Sequence, residues 1–518
     1  VSEENNAIRL VNITKSFGSV LANDSISLDV RYGEILALLG ENGSGKTTLM
    51  NILSGIYYPD SGTIYVKGQE VKIPSPKDAF NLGIGMIHQH FKLVDVLTAA
   101  ENIILGLPGS VRLNRKAISA EIKKISSRYG FDIEPEKKIY NMSVSEKQTV
   151  EIVKLLYRGA DILILDEPTA VLTPQESDKL FEVLKNMKND GKAIVIITHK
   201  LNEVLAVSDR VSILRKGCSV GTVKTSETNR QELTELMVGH SVSLEIERPE
   251  INTKHGEYLK IVDLTCIDSD GHKVLDNINF SLNGGEILGI AGIAGSGQRE
   301  LCEAIAGLYP VKGGAILCRS ETPNGPVNEN IVGKSPTEII KKGVAMAFVP
   351  EDRLGMGLVA SMDMVENMML KSYKQGKGPF TERKKPRQMA ERMIKELDIV
   401  TPGVSTPIRL LSGGNVQKVL LGREIASEPS VLLVAYPVRG LDINSSYTIY
   451  NLLNEQKKKG VAILFIGEDL DVLLELCDRI MVLCDGKVSG IVNAKETTKE
   501  ELGLMMVHIG DEKGGETA

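Results

Sequence analysis

The chain repeats itself at the scale of a whole domain. Gly33-Glu34-Ile35-Leu36-Ala37-Leu38-Leu39-Gly40 returns 252 residues later as Gly285-Glu286-Ile287-Leu288-Gly289-Ile290-Ala291-Gly292. Met142-Ser143-Val144-Ser145-Glu146-Lys147-Gln148 returns 269 residues later as Leu411-Ser412-Gly413-Gly414-Asn415-Val416-Gln417. The same 269 carries Asp166 to Ala435, His199 to Glu468, and Ser208-Asp209-Arg210-Val211 to Cys477-Asp478-Arg479-Ile480. A period of this length excludes a solenoid, whose units run to about 20–50 residues. It describes a tandem duplication, with 17 extra residues in the second copy between its first and second motifs. The 518 residues accommodate two domains of ordinary size.

Each copy reads as α/β. Residues 161–165 (DILIL), 193–197 (AIVII) and 461–466 (VAILFI) are short, continuous, rich in β-branched residues and bounded by polar turns. Strands buried on both faces of a parallel sheet have this pattern. Between them lie helical stretches such as 173–189, where Leu180, Val183, Leu184 and Met187 recur at helical spacing. The first domain is expected over 7–240 and the second over 257–509. Residues 241–256 (SVSLEIERPEINTKHG), polar and without period, read as a linker, and 510–518 as a flexible tail.

Composition removes several classes of function. With 61 basic and 67 acidic residues the net charge is −6, so no positive field gathers nucleic acid or anionic lipid. Trp is absent and aromatics are 4%, which argues against a surface built to stack bases along a nucleic-acid strand. The six cysteines include no C-x-x-C, which argues against a disulfide framework or structural zinc and for a reducing cytosol. The acidic start Val1-Ser2-Glu3-Glu4 does not read as a signal peptide. The apolar runs fall far short of the ~20 residues that span a bilayer, so direct membrane insertion is not expected.

The first copy carries phosphate chemistry. Gly40-Glu41-Asn42-Gly43-Ser44-Gly45-Lys46-Thr47 is G-x-x-x-x-G-K-T between an apolar strand and a helix opening at Thr47. Its glycines let successive backbone N–H groups converge on phosphate oxygens, and the helix start adds a positive dipole. Lys46 is expected on the β- and γ-phosphates and the Thr47 hydroxyl on Mg²⁺, with Thr48 beside it. Asp166 and Glu167 end the DILIL strand at the carboxyl edge of the sheet, where ligands bind. Asp166 is expected to hold Mg²⁺ through water and Glu167 to polarise the attacking water. His199 follows the next such strand, within reach of a γ-phosphate, and Gln89 ends a further apolar segment, placed to sense Mg²⁺ or water. His88 and His90 lack a carboxylate or third ligand nearby and read as loop residues. Phe17 has two readings, stacking on adenine or packing in the core.

The phosphate loop, Gln89, the segment 162–170 (ILILDEPTA), Thr198-His199 and above all Leu411-Ser412-Gly413-Gly414-Asn415 resemble the ATP-binding cassette family over nearly the whole chain. The resemblance implies two tandem P-loop NTPase domains. Each would have a mostly parallel core sheet, an antiparallel β subdomain and a helical subdomain. It implies ATP and Mg²⁺ as cofactors, and tandem cassettes of this length are similar to ATPase subunits of bacterial importers for simple sugars and nucleosides.

The two copies are damaged in opposite places. The second loop reads Gly292-Ile293-Ala294-Gly295-Ser296-Gly297-Gln298-Arg299, with Gln for the lysine and Arg for the metal-binding hydroxyl. Ala435, Tyr436 and Glu468 replace Asp166, Glu167 and His199. A tyrosine, with a reference pKa of about 10, is no general base at neutral pH. A carboxylate 4 Å from a phosphate charge costs roughly 4 kcal/mol at an effective dielectric of about 20. Arg299 leaves weak nucleotide binding open. Conversely, Ser412, Gly413, Gly414 and Asn415 are intact, whereas the first copy has bulk at Val144 and negative charge at Glu146. The family's cassettes dock head to tail and exchange these segments. Cross-pairing joins Gly40–Thr47, Gln89, Asp166, Glu167 and His199 to Ser412, Gly413, Gly414, Asn415 and Asp442. One site per chain is then complete.

Import would require two integral-membrane permease subunits and, through them, an extracytoplasmic substrate-binding lipoprotein. The chain itself would lie peripherally on the cytoplasmic face of the bacterial inner membrane and bind no nucleic acid. The segments after Gln89 and after Glu351 are the expected docking surfaces. Segments 87–98 (IHQHFKLVDVLT), 150–161 (VEIVKLLYRGAD) and 169–176 (TAVLTPQE), with Val144, are similar to nucleoside importers more than to sugar importers, while Glu146 and Tyr436 depart from that pattern. Purine-type nucleosides therefore rank first, riboflavin second and simple sugars third. A soluble twin-cassette ATPase acting on ribosomes or DNA is the rival from another class; its usual basic linker and two working sites are not found here.

Overall fold

Six short aliphatic runs of the first half form one sheet in the order Cys218–Lys224, Arg210–Arg215, Glu34–Leu39, Ala193–Ile197, Ile162–Asp166, Ile84–Ile87. Neighbours are parallel except the first pair, which is antiparallel. The computed structural model describes residues 5–507 apart from 19, 89–90, 108–113, 171, 199, 241–244, 251–255, 323–324 and 374–380. The chain divides into two units, Val1–Ser243 and Leu244–Ala518. In the first, Ile35, Leu36, Leu38 and Leu39 and all of residues 162–165 are buried. Burial on both faces is why these strands show no alternation.

A second, antiparallel sheet of the first unit has the order Val20–Arg31, Asn6–Phe17, Ser61–Val66, Gln69–Val71. Its inner face (Ile8, Leu10, Ile13, Ile26) shares a core with Leu49, Met50 and Leu53 of helix Lys46–Leu53. Helices Ala99–Ile104, Arg115–Tyr129 and Val144–Tyr157 enclose a separate core around Ile103, Ile122, Val150 and Val153. Helix starts follow local chemistry: Thr98 with Glu101, Ser143 with Glu146 and Thr173 with Glu176 form capping boxes, and Pro174 fills the first turn of Pro174–Asn189.

The second unit has the same topology. Its sheet order is Lys487–Asn493, Arg479–Cys484, Ile287–Gly292, Ala462–Ile466, Val431–Ala435, Met346–Val349, beside an antiparallel sheet of Lys273–Asn283, Glu257–Ile267, Val311–Thr322 and Gly325–Asn330. Helices Met364–Met369, Lys384–Glu396 and Gly413–Ile425 correspond to the three-helix part. The extra chain enters in steps. The offset between copies is 260 at Pro76/Pro336, after the longer hairpin, and 269 by Arg115/Lys384. Residues 245–250, within the expected linker, lie along the second unit. Ile246 packs on its core, Glu247 O accepts from Asn454 Nδ2 at 2.9 Å, Arg248 donates to Cys477 O, and Glu250 pairs with Lys495 at 2.6 Å. The tail 510–518 lies outside the described residues. Among the described residues no helix is long and apolar enough to cross a membrane.

Candidate functional site

Residues 40–45 leave the carboxyl end of strand Glu34–Leu39 and run into helix Lys46–Leu53. Two corners of this loop admit only glycine. A Cβ on Gly40 would lie 2.3 Å from the Leu214 carbonyl oxygen, and one on Gly45, at φ +95°, would lie 2.3 Å from that of Ala22. The curl is fixed by Ser44 N–H donating to Glu41 O at 3.1 Å, Gly217 N–H to Ser44 O at 3.2 Å and Asn23 Nδ2 to Gly45 O at 3.1 Å. Inside it, buried Lys46 donates to Gly40 O at 2.6 Å and Glu41 O at 2.9 Å. Burial lowers its ammonium pKa, against the opposing pull of Glu167, Asp166 and Glu41. Asn42, Gly43 and Thr47 are exposed, Ser44 is buried and Thr48 half-buried.

Parallel register brings the acids to the same edge. Leu38 and Asp166 both pair with Ile197, two strands and about 10 Å apart. Burial first, then the adjacent Glu167 carboxylate, pushes Asp166 up to about 6, with Lys46 opposing. Glu167 sits at φ +50°, and its N–H donates to Ile197 O at 2.8 Å. Left-handed backbone at a non-glycine residue costs of order 1 kcal/mol and clusters at working sites. The hydroxyl, carboxylates, ammonium and convergent N–H groups suit a polyphosphate with a hard divalent cation. Gln89 and His199, the remaining expected members, lie outside the described residues. Phe17 does not pack in the core. It is 44% exposed, and its ring meets Tyr57 edge-on at 5.1 Å and 70°. The core reading of Phe17 is therefore corrected: it ends a strand at the rim of its sheet.

The second unit keeps this backbone without its ligands. Ser296 N–H donates to Ile293 O at 3.0 Å, Gly486 N–H to Ser296 O at 3.2 Å, and Gly297 has φ +98°. Gln298 turns into its own loop, donating to Ile293 O at 3.0 Å, and Arg299 pairs with Glu303 at 2.6 Å. Tyr436 occupies φ +47°, its N–H on Ile466 O at 3.0 Å, and burial pushes its hydroxyl pKa up. Glu468 pairs with Arg439 at 3.0 Å, and Arg439 also holds Glu351.

Helices Val144–Tyr157 and Gly413–Ile425, which follow Ser143 and Ser412, differ at their first turn. In Val144–Tyr157, Ser143 Oγ accepts from Glu146 N–H at 3.2 Å while Glu146 Oε2 accepts from Ser143 N–H at 2.7 Å, and Lys137 pairs with Glu146 at 2.6 Å. A carboxylate thus occupies the positive end of that helix. In Gly413–Ile425, Ser412 makes no side-chain cap, and Asn415 is held aside by Ser412 Oγ at 2.8 Å and Val400 N–H at 3.0 Å. A Cβ on Gly414 would lie 2.5 Å from Ser445 Oγ and 3.2 Å from Ser445 Cβ, so a side chain there would displace Ser445. Asp442 caps helix Ile443–Lys458, accepting from Ser445 N–H and Ser445 Oγ, both at 2.8 Å. Asn23 and Arg439 carry no sequence signal; the S-x-x-E spacing of Ser143 and Glu146 is a signal from which the capping role of Glu146 could have been read.

A duplicated P-loop fold with this edge of lysine, hydroxyl and paired acids defines a tandem-cassette ATPase. Residues 23–170 and 275–437 match the family described as ABC transporter, and the chain belongs to that family. It is 44% identical over 505 residues to the nucleoside import ATP-binding protein NupA of Lactococcus lactis subsp. cremoris, covering 96% of this chain and 98% of that one. It is 43% identical over 515 residues to the guanosine import ATP-binding protein NupO of Bacillus subtilis, covering 98% of each. The ribose import ATP-binding protein RbsA of Clostridium perfringens is 37% identical over 516 residues, covering 98% of this chain and all of its own.

Proposed function

We propose that this chain is the ATP-hydrolysing subunit of an importer for purine-type nucleosides, with one complete composite ATP site. The observation that carries the single-site reading is the contrast between the two helix starts. Glu146 fills that of the first unit, whereas Gly413 and Gly414 leave that of the second open to an anion. The open helix start belongs to the copy that lacks the lysine and acids, so the defects complement each other only if the copies exchange segments. Higher identity to the nucleoside and guanosine import proteins than to the ribose protein supports the substrate class.

In this reading Lys46 and the N–H groups of the phosphate loop bind the β- and γ-phosphates. Glu167 takes the proton of the attacking water, and His199 and Gln89 orient water and γ-phosphate. Ser412, Gly413, Gly414 and Asn415 close over the γ-phosphate from the other copy. Mg²⁺, held by Thr47 and Asp166, would neutralise charge on the phosphates. Two permease subunits would dock at the segments after Gln89 and after Glu351 and hold the chain at the cytoplasmic face. An extracytoplasmic lipoprotein would deliver the solute.

The test is reconstitution of the complete transporter in liposomes with guanosine, riboflavin or ribose and its binding protein. Stimulation of ATP turnover and uptake by guanosine alone is the expected result. Stimulation by ribose alone would overturn the substrate assignment, and recovery of the chain from cells on ribosomes rather than membranes would overturn the importer reading.

A further inference from the structure

Phe17 ends its strand exposed, opposite Val20, and the three residues before it are tied to a distant turn. All three are bonded to one residue, Asp60, which lies 44 to 46 positions away in sequence. Asp60 Oδ1 accepts from Lys15 Nζ at 2.7 Å, and Oδ2 accepts from Ser16 N–H at 2.7 Å and Ser16 Oγ at 2.8 Å. The Asp60 N–H donates to Thr14 O at 2.8 Å. The same turn supplies Tyr57, whose ring meets the Phe17 ring at 5.1 Å, while Lys15 Nζ lies 5.6 Å from the Phe17 centroid. These donors hold the Asp60 carboxyl down at about 2, so the grip is charged at every physiological pH.

We infer that Asp60 is a positioning residue for the nucleotide base: it fixes the strand end so that Phe17 stands ready as a stacking platform. The inference rests on the reading of Phe17 as the adenine platform. Ordering the platform before binding removes an entropy cost that would otherwise be met on association.

The duplicate provides an internal control. In the first unit Lys15 pairs with Asn23 and Ser16 with Leu21; in the second, Cys266 pairs with Leu275 and Ile267 with Lys273. The Phe17 position therefore falls to Asp268, which accepts from the backbone N–H groups of Asp270 and His272 in its own turn. The position of Asp60 falls to Lys312 and that of Tyr57 to Tyr309. The antiparallel sheet forms all the same, with Thr265 on Gly313 as Thr14 is on Ser61. The fold does not require the acid. Acid and aromatic are absent together from the copy whose loop has also lost its lysine.

The experiment is equilibrium titration of the full chain with Mg-ATP and with Mg-tripolyphosphate, which has no base, for wild type, Phe17→Ala, Asp60→Ala and Asp60→Asn. Phe17→Ala and Asp60→Ala are expected to weaken ATP about fivefold or more while tripolyphosphate changes by less than about twofold. Asp60→Asn, which keeps an acceptor for Ser16, is expected to recover part of the loss and guards against a folding defect. If Phe17→Ala weakens ATP and Asp60→Ala does not, the role of Asp60 is refuted and the platform stands. If Phe17→Ala leaves ATP unchanged, the platform itself fails. Equal weakening of both ligands by Asp60→Ala would make Asp60 a general structural residue and overturn the inference.

Discussion

Asp166 gives the most quantitative prediction. The rise of its pKa from 3.8 to about 6 by burial and the Glu167 carboxylate means that the folded, nucleotide-free site resists ionising it. Between these values the folded chain binds more protons than the unfolded chain, so stability falls as pH rises through that window. At full strength the penalty is about 3 kcal/mol, and water at the open edge screens part of it, leaving ~1.5–2.5 kcal/mol at pH 8 and about half of that at pH 5. Asp166→Asn removes the titration while keeping the shape. It is expected to stabilise the first unit at pH 8, raising its Tm by roughly 3–10 °C, and by about half as much at pH 5. Calorimetry of the nucleotide-free chain in chelator measures the shift, and hydrogen exchange in strand Ile162–Asp166 assigns it to the first unit. A gain independent of pH, or a loss at pH 8, would refute the reasoning.

The remaining predictions concern the rest of the site and its support. Glu167→Gln should lower ATP turnover by about 100-fold or more while ATP still binds, whereas Tyr436→Phe should leave turnover within about twofold; steady-state ATPase and nucleotide binding distinguish them, and equal losses would contradict the one-site assignment. Gly414→Val should lower turnover in the same ATPase assay, because its Cβ displaces Ser445 and its bulk fills the open helix start, with Lys46-dependent ATP binding retained. Ile122→Ala should destabilise the helical part of the first unit by about 2–5 kcal/mol, read as a lower denaturation midpoint, since this side chain is fully buried.

The central strands and the phosphate loop were legible because their signals are local. Double-sided burial shows as unbroken aliphatic runs, and the loop carries its chemistry in eight consecutive residues. The duplication made the losses at Gln298, Ala435, Tyr436 and Glu468 visible without coordinates. The grip of Asp60 on Lys15 and Ser16 was hidden because it joins residues 44 or 45 apart through side chains with no spacing rule. The ties of Arg439 to Glu351 and Glu468 were hidden for the same reason. In sequence Glu146 shows only as a charge facing a ligand; in the fold it accepts from the N–H of Ser143 and pairs with Lys137. The left-handed backbone at Glu167 leaves no trace in composition, since Glu is not a residue type that announces positive φ.

That backbone bears on how the second copy could be repaired. Tyr436 holds nearly the same φ as Glu167, with its amide on the neighbouring strand in the same way. The unusual torsion is therefore present at this position with or without a carboxylate. An attempt to return acid chemistry to this copy would find the main chain already shaped for it. The substitutions to try are side-chain replacements at Gln298, Arg299, Ala435, Tyr436 and Glu468, with the first copy's helix start reopened by replacing Val144 and Glu146. If one site works as proposed, the difference between the copies lies in a handful of side chains on the same main chain, and a second working site would need no change of fold.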